Sequence, residues 1–127
     1  MQNSKSWWSD LKNWLKDRKR LKADKVYCED FIYGIGTPPT EKFFNKEAKY
    51  WELYWSDENE NYLHIKLGST LAERNENGKP VNVIWVRFNH PASGRPRMYP
   101  WHLDSATSVF EFVQNCRQAI DILQYGE

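Results

Sequence analysis

The chain is short of the residues that most often carry chemistry in a small protein. In 127 residues it has two cysteines, three histidines and two methionines. Cys28 and Cys116 stand far apart, and no C-x-x-C pair occurs, so spacing supports neither a disulfide framework nor a cysteine zinc site. Two free thiols in a reducing, cytoplasmic setting is the natural reading, with a single bridge between them left open. His64, His90 and His102 fall in no H-x-x-x-H or H-E-x-x-H pattern, so no metal and no cofactor are expected. G-x-S-x-G and P-loop signatures are missing too, and Gly34-Ile35-Gly36 reads only as the end of an element. No apolar run approaches the length of a membrane-spanning helix. The N-terminus lacks the apolar core and small-residue cleavage site of a secretory leader. There is no N-x-Ser/Thr acceptor site.

What is present is aromatic surface. Phe, Trp and Tyr make up 16% of the chain, with seven Trp and seven Tyr. That load marks a chain with enough to bury to offset its conformational entropy, and the length suits one domain. The formal net charge is +1, too small to drive the whole molecule onto nucleic acid or anionic lipid. The distribution is uneven, however. Residues 1–25 hold eight Lys/Arg against three Asp, a net of +5, which leaves −4 for the rest. Residues 52–76 are acidic, whereas 87–102 carry Arg87, Arg95 and Arg97 without one acid. Such polarity favours oriented association with a partner or with a second copy.

Periodicity then assigns elements. Trp7, Trp8, Leu11, Trp14 and Leu15 recur on one helical face, predicting a helix over about 6–21 with Ser6 as N-cap. Residues 26–33 are rich in β-formers and stop at Gly34, which predicts a strand. The stretch 37–47, with Pro38 and Pro39, reads as a loop. Residues 48–56 alternate, with Trp51, Leu53 and Trp55 opposite Tyr50, Glu52 and Tyr54. Residues 62–68 alternate again, Leu63, Ile65 and Leu67 against Tyr62, His64 and Lys66, so the two segments form a hairpin. Asn77-Gly78 marks a turn before 81–89, where Ile84, Val86 and Phe88 oppose Val83, Trp85 and Arg87. A Pro/Gly-broken loop follows, with a short strand near 98–99. Residues from about 104 to 123 predict a helix capped by Asp104 or Ser105, its stripe being Val109, Phe112, Val113, Cys116, Ile120 and Leu123. The fold class is α+β: an antiparallel, meander-like sheet of four to five strands over about 26–100, with a helix at each end.

If Leu63, Ile65 and Leu67 face the core, the other sheet face carries Tyr50, Tyr54, Tyr62, His64, Lys66, Trp85 and Arg87. That set is too aromatic for plain solvent surface and too charged for a core. The Trp-rich helix is expected to cover it, with Trp7, Trp8, Leu11, Trp14 and Leu15 packed internally. The same stripe is equally compatible with dimerisation.

Three functional readings follow. The excess of Trp, Tyr and Arg, the residue types of interface hot spots, suits a small non-enzymatic inhibitor that binds another protein. The partner would be a toxin, a nuclease or another effector, as for immunity proteins and phage or plasmid accessory factors. Its docking residues would be the acidic turns (Asp57, Glu58, Glu60, Glu73, Glu76) or the basic stretch (Arg87, Arg95, Arg97, Tyr99, Trp101). The second reading is a single-stranded nucleic-acid binder, with bases stacked on Tyr50, Tyr54, Tyr62 and Trp85, and with His64 and Lys66 beside them. The third is a metal-independent ribonuclease in which His90, Arg97 and His102 supply base, charge stabilisation and acid. Cys116 lies in an apolar helix stripe and Cys28 beside Glu29 and Asp30, so neither is expected to be a nucleophile.

Overall fold

The computed structural model describes residues 4–74, 77–78, 80–91, 101–103 and 106–125. Its first element, α1, spans Ser4–Ile35, 32 residues and roughly 48 Å at the α-helical rise. The helix does not stop near residue 21, and the strand expected over 26–33 is its last part. The reason is a helical stripe hidden among β-forming residues. Asp24, Cys28, Phe31 and Ile35 are buried at i, i+4, i+7 and i+11, while Val26 and Tyr33 between them are exposed. Tertiary burial of that stripe outweighs the β propensity of the segment. Gly36, at φ +86°, ends the helix in the left-handed region. Arg117 caps it from the far end of the chain, donating to the carbonyls of Ile35 (3.2 Å) and Gly34 (2.9 Å).

The predicted loop over 37–47 contains a strand, β1, Glu41–Asn45, which starts just beyond the two prolines. β2 (Tyr50–Ser56), β3 (Tyr62–Leu67), β4 (Glu73–Arg74), β5 (Pro80–Asn89) and β6 (Trp101–Leu103) follow, and α2, Ala106–Tyr125, closes the chain. The body of the sheet runs β1-β2-β3-β5, with β4 and β6 joined to β5, and every pairing is antiparallel. The α+β meander with a helix at each end is therefore the observed architecture.

Side chains shape the turns. Asn45 Oδ1 accepts from the amides of Glu47 (3.1 Å) and Ala48 (3.0 Å), which bends β1 into β2. Asp57 Oδ1 accepts from the amides of Asn59 and Asn61 and so folds the β2–β3 connection. Gly68 sits where a Cβ would lie 2.9 Å from Tyr50 Cβ, so only glycine lets β3 leave the sheet beside β2.

The register fixes the two faces. Leu53 pairs with Ile65 and Ile65 with Val86; Trp55 pairs with Leu63 and Leu63 with Phe88. On this face the Cys28–Phe31–Ile35 end of α1 and the Phe112–Cys116–Ala119–Ile120–Leu123 stripe of α2 complete the core. Val109, expected in that stripe, is exposed one turn before the helix reaches the core. Asp24 ties α1 to the segment after β3, accepting from the Ser69 amide (3.1 Å) and hydroxyl (2.9 Å). Both helices thus lie on one side of the sheet. Trp8, Trp14 and Leu15 are exposed and Leu11 is half-buried, so the expected internal packing of this stripe is overturned. Arg18 lies over the Trp14 ring at 4.8 Å instead. The Trp7 side chain lies outside the described residues.

Candidate binding face

With both helices on the Leu/Ile side, the Tyr/His/Trp side of the sheet carries no helix among the described residues. Strand alternation and register assemble it in rows. Glu41, Tyr54, His64 and Arg87 lie across β1, β2, β3 and β5; Phe43, Glu52, Lys66 and Trp85 form the neighbouring row. Residues expected on this face (Tyr50, Tyr54, Tyr62, His64, Lys66, Trp85 and Arg87) are thus brought onto one surface, joined by Phe43, which lies in β1 and not in a loop.

The centre of this face is polar and buried. Glu52 and His64 are each 7% exposed, with His64 Nε2 2.9 Å from Glu52 Oε1. A carboxylate can only accept, so the Nε2 proton belongs to the histidine. Asn45 Nδ2 donates to the other oxygen at 3.1 Å, so both carboxylate oxygens are satisfied. Burial pulls the His64 imidazole below the ordinary histidine range, helped by Lys66 and Arg87, while Glu52 pulls the other way. The His64 imidazole is therefore neutral near neutral pH.

Aromatic rings pack on His64. Tyr54 stacks on His64 with centroids 4.1 Å apart and planes 9° from parallel, and Trp85 meets the same ring edge-on at 5.1 Å. Phe43 lies near-parallel to Tyr54 at 6.2 Å, and Tyr62 is tilted against it at 6.2 Å. Lys66 Nζ covers the Trp85 ring at 4.4 Å and the Tyr50 ring at 5.5 Å. Burial, with Glu52 adding to it, holds the Tyr54 phenol above its ordinary range, so its hydroxyl stays a donor at neutral pH. The result is a pre-organised surface whose ring faces are largely taken up by one another and by Lys66. Arg87 is exposed at the margin of this surface.

Of the other expected docking residues, those with described side chains lie at the β2–β3 turn. Asp57 is half-buried and committed to its turn, where the Asn61 amide side chain, donating at 3.0 Å, leads the effects that hold its carboxyl below the usual range. Glu58 and Glu60 are exposed at that turn, Glu60 with φ +64°. Glu73 begins β4 and Trp101 begins β6, but their side chains lie outside the described residues, as do Glu76, Arg95, Arg97 and Tyr99 altogether. Of the expected ribonuclease set, His90 stacks on Phe88 at 5.7 Å and lines a cleft of about 710 Å³ with Asp57 and Trp55. His102 is seen only as the β6 residue opposite Val83, and Arg97 lies outside the described residues.

Among the described residues no cluster of three His, Cys, Asp or Glu could hold a metal ion. Cys28 and Cys116 are free and buried; burial pushes the Cys28 thiol up to about 11 and the Cys116 thiol higher still. Among the described residues no helix is long and apolar enough to cross a membrane. Comparison of the chain with family models, curated proteins and solved structures finds no match.

Proposed function

We propose that the chain is a non-enzymatic, cytoplasmic protein-binding module that neutralises a partner stoichiometrically, in the manner of toxin-immunity or phage and plasmid accessory proteins. The open face of β1, β2, β3 and β5 is its working surface. One observation carries this reading: among the described residues, nothing covers an aromatic sheet face with Arg87 at its margin, while both helices pack on the other side. Tyr, Trp and Arg on rigid strands make strong anchors because little side-chain entropy is lost on docking. The docking site shifts accordingly from the acidic turns and the 87–102 stretch to the sheet face, with Arg87 common to both.

A single-stranded nucleic acid is the second reading, favoured by the presence of Lys66 and Arg87 among aromatics and by the burial of Glu52. It is the weaker one, since a base would have to displace Lys66 from Trp85 or His64 from Tyr54 to gain a full ring face.

Immobilised protein exposed to extract of its native host tests both. A single partner should be captured at one-to-one stoichiometry and lose its own activity in the complex. Arg87→Glu and Trp85→Ala should each weaken capture about tenfold or more with the fold intact by circular dichroism. Labelled single-stranded RNA and DNA should not bind at low salt. Capture unchanged by the face variants sinks the protein-binding reading, and steep salt-dependent RNA or DNA binding replaces it with the second.

A further inference from the structure

Where α1 passes the β1–β2 corner, helix and sheet do not close against each other. A groove of about 670 Å³ opens between them, of the size of built ligand sites. Leu15 and Leu21 line it from the helix, Phe44 and Trp51 from the sheet. Phe44 and Trp51 are directly opposite in register and their rings meet at 5.4 Å, so this wall is firm. The same groove is lined by Arg18, Lys19, Lys22 and Lys25, and among the described residues by no acidic one. Lys42 adds a fifth cation, 5.9 Å over the Trp51 ring. Trp51 Nε1 is buried and has no hydrogen-bond partner among the described residues, whereas the Nε1 of Trp55 donates to the Thr37 carbonyl at 2.9 Å. A buried indole donor is normally paired. Beyond the groove the apolar side of α1 continues through Leu11 to the exposed Trp14 and Trp8.

We infer that this groove receives an acidic amphipathic helix of a partner protein, its apolar side chains on Leu15, Leu21, Phe44 and Trp51 and its carboxylates against Arg18, Lys19, Lys22 and Lys25. Charge decides the occupant. A second copy offering α1 would set its own basic helix against the basic rim. A second copy offering α2 would bring Glu111 and Asp121 with Arg117, only one net negative charge against four cations. A bilayer is planar, whereas the apolar surface here is recessed between a helix and a sheet. A helix laid into a groove meets both conditions: apolar side chains at i, i+3, i+4 and i+7 fill the recess, and acidic flanks face the rim. This site lies on the side of the sheet opposite the Tyr/Trp face and is independent of it.

The test is fluorescence anisotropy of the full chain with a panel of labelled peptides. Each peptide has Leu at helical i, i+3, i+4 and i+7 spacing and Glu elsewhere; each is matched by a scrambled peptide of the same composition. The amphipathic forms should bind saturably, about tenfold or more tighter than the scrambled ones, and weaken as salt is raised. Arg18→Glu with Lys22→Glu, both on exposed side chains, should lower affinity about tenfold or more without changing the circular dichroism spectrum. Phe44→Ala, which removes part of the aromatic wall, should weaken binding, and Tyr125→Ser, exposed at the end of α2, should leave it unchanged. Equal binding of scrambled peptides, or indifference to the charge reversal, would overturn the inference. So would failure of the whole panel to bind. Sedimentation with anionic phospholipid vesicles that no peptide competes away would assign the strip to a lipid surface. A concentration-dependent dimer that excludes the peptides would assign it to a second copy.

Discussion

Glu52 and His64 show how much a single cross-strand pair can alter a surface. Both sit at outward positions of their strands, where alternation places polar side chains in water. Tyr54 and Trp85 pack on His64, and the burial of the pair is tolerable because each carboxylate oxygen has a donor. Alternation made the composition of this face legible before the structure. It did not show that its charged centre is sealed, since a ring stack across strands is invisible until the register is known. A pH dependence follows. The groups facing His64 are Glu52, Lys66, Arg87 and the Tyr54 phenol, and burial dominates, so the folded-state pKa lies below the ordinary value near 6.5. Between the two values the unfolded chain binds more protons than the folded one, so stability rises with pH across that window. On acidification it should begin to fall near pH 6.5 and level off, for this group, once the folded-state pKa is passed. Thermal melts of the wild type should show that slope, and His64→Gln, which keeps a donor for Glu52, should flatten it. An identical slope in the variant would mean another group governs the acid limb.

At the level of elements, the strands with clean alternation were readable and the longest helix was not. β2, β3 and β5 appear in the sequence because each alternates around a buried Leu, Ile or Val set. The end of α1 was hidden because Val26, Tyr27, Phe31, Ile32 and Tyr33 all favour strands, and only the positions of Asp24, Cys28, Phe31 and Ile35 reveal the helical period. β1 was hidden behind Pro38-Pro39, which sit before the strand rather than in it. The Trp-rich start of α1 was misassigned for the opposite reason: its amphipathic pattern is real, but the sheet face it was expected to cover lies on the other side. Among the described side chains, the buried contribution of α1 begins at Asp24, and Trp8, Trp14 and Leu15 face solvent. Deleting residues 1–14 should therefore shift Tm by no more than about 4 °C, the equivalent of roughly 1 kcal/mol for a domain of this size. A larger loss, measured by differential scanning calorimetry, would show that this stretch supports the fold through contacts beyond those described.

For the molecule as a whole, the arrangement separates stability from recognition. One core joins the end of α1, the inner sheet face and α2, while the aromatic face and the basic length of α1 stay outside it. Cys28 and Cys116 report on whether that core acts as a unit, because they sit on different helices and are each about 1% exposed or less. Thiolate is the reactive form, and burial keeps both thiols protonated well above neutral pH, Cys28 up to about 11. An aromatic disulfide reagent should thus label neither at neutral pH under native conditions. Arg117, donating from α2 to the last carbonyls of α1, couples the two helices further. Exposure of either thiol then requires opening the shared core, so both should label at the same rate in rising denaturant, with the same denaturant dependence. Mass spectrometry of partly labelled protein distinguishes the alternatives. Unlabelled and doubly labelled chains, with little singly labelled protein, mean one cooperative unit. Early labelling confined to Cys28 would mean that α1 detaches from the sheet on its own, making the long helix, with its exposed tryptophans, a separately opening element.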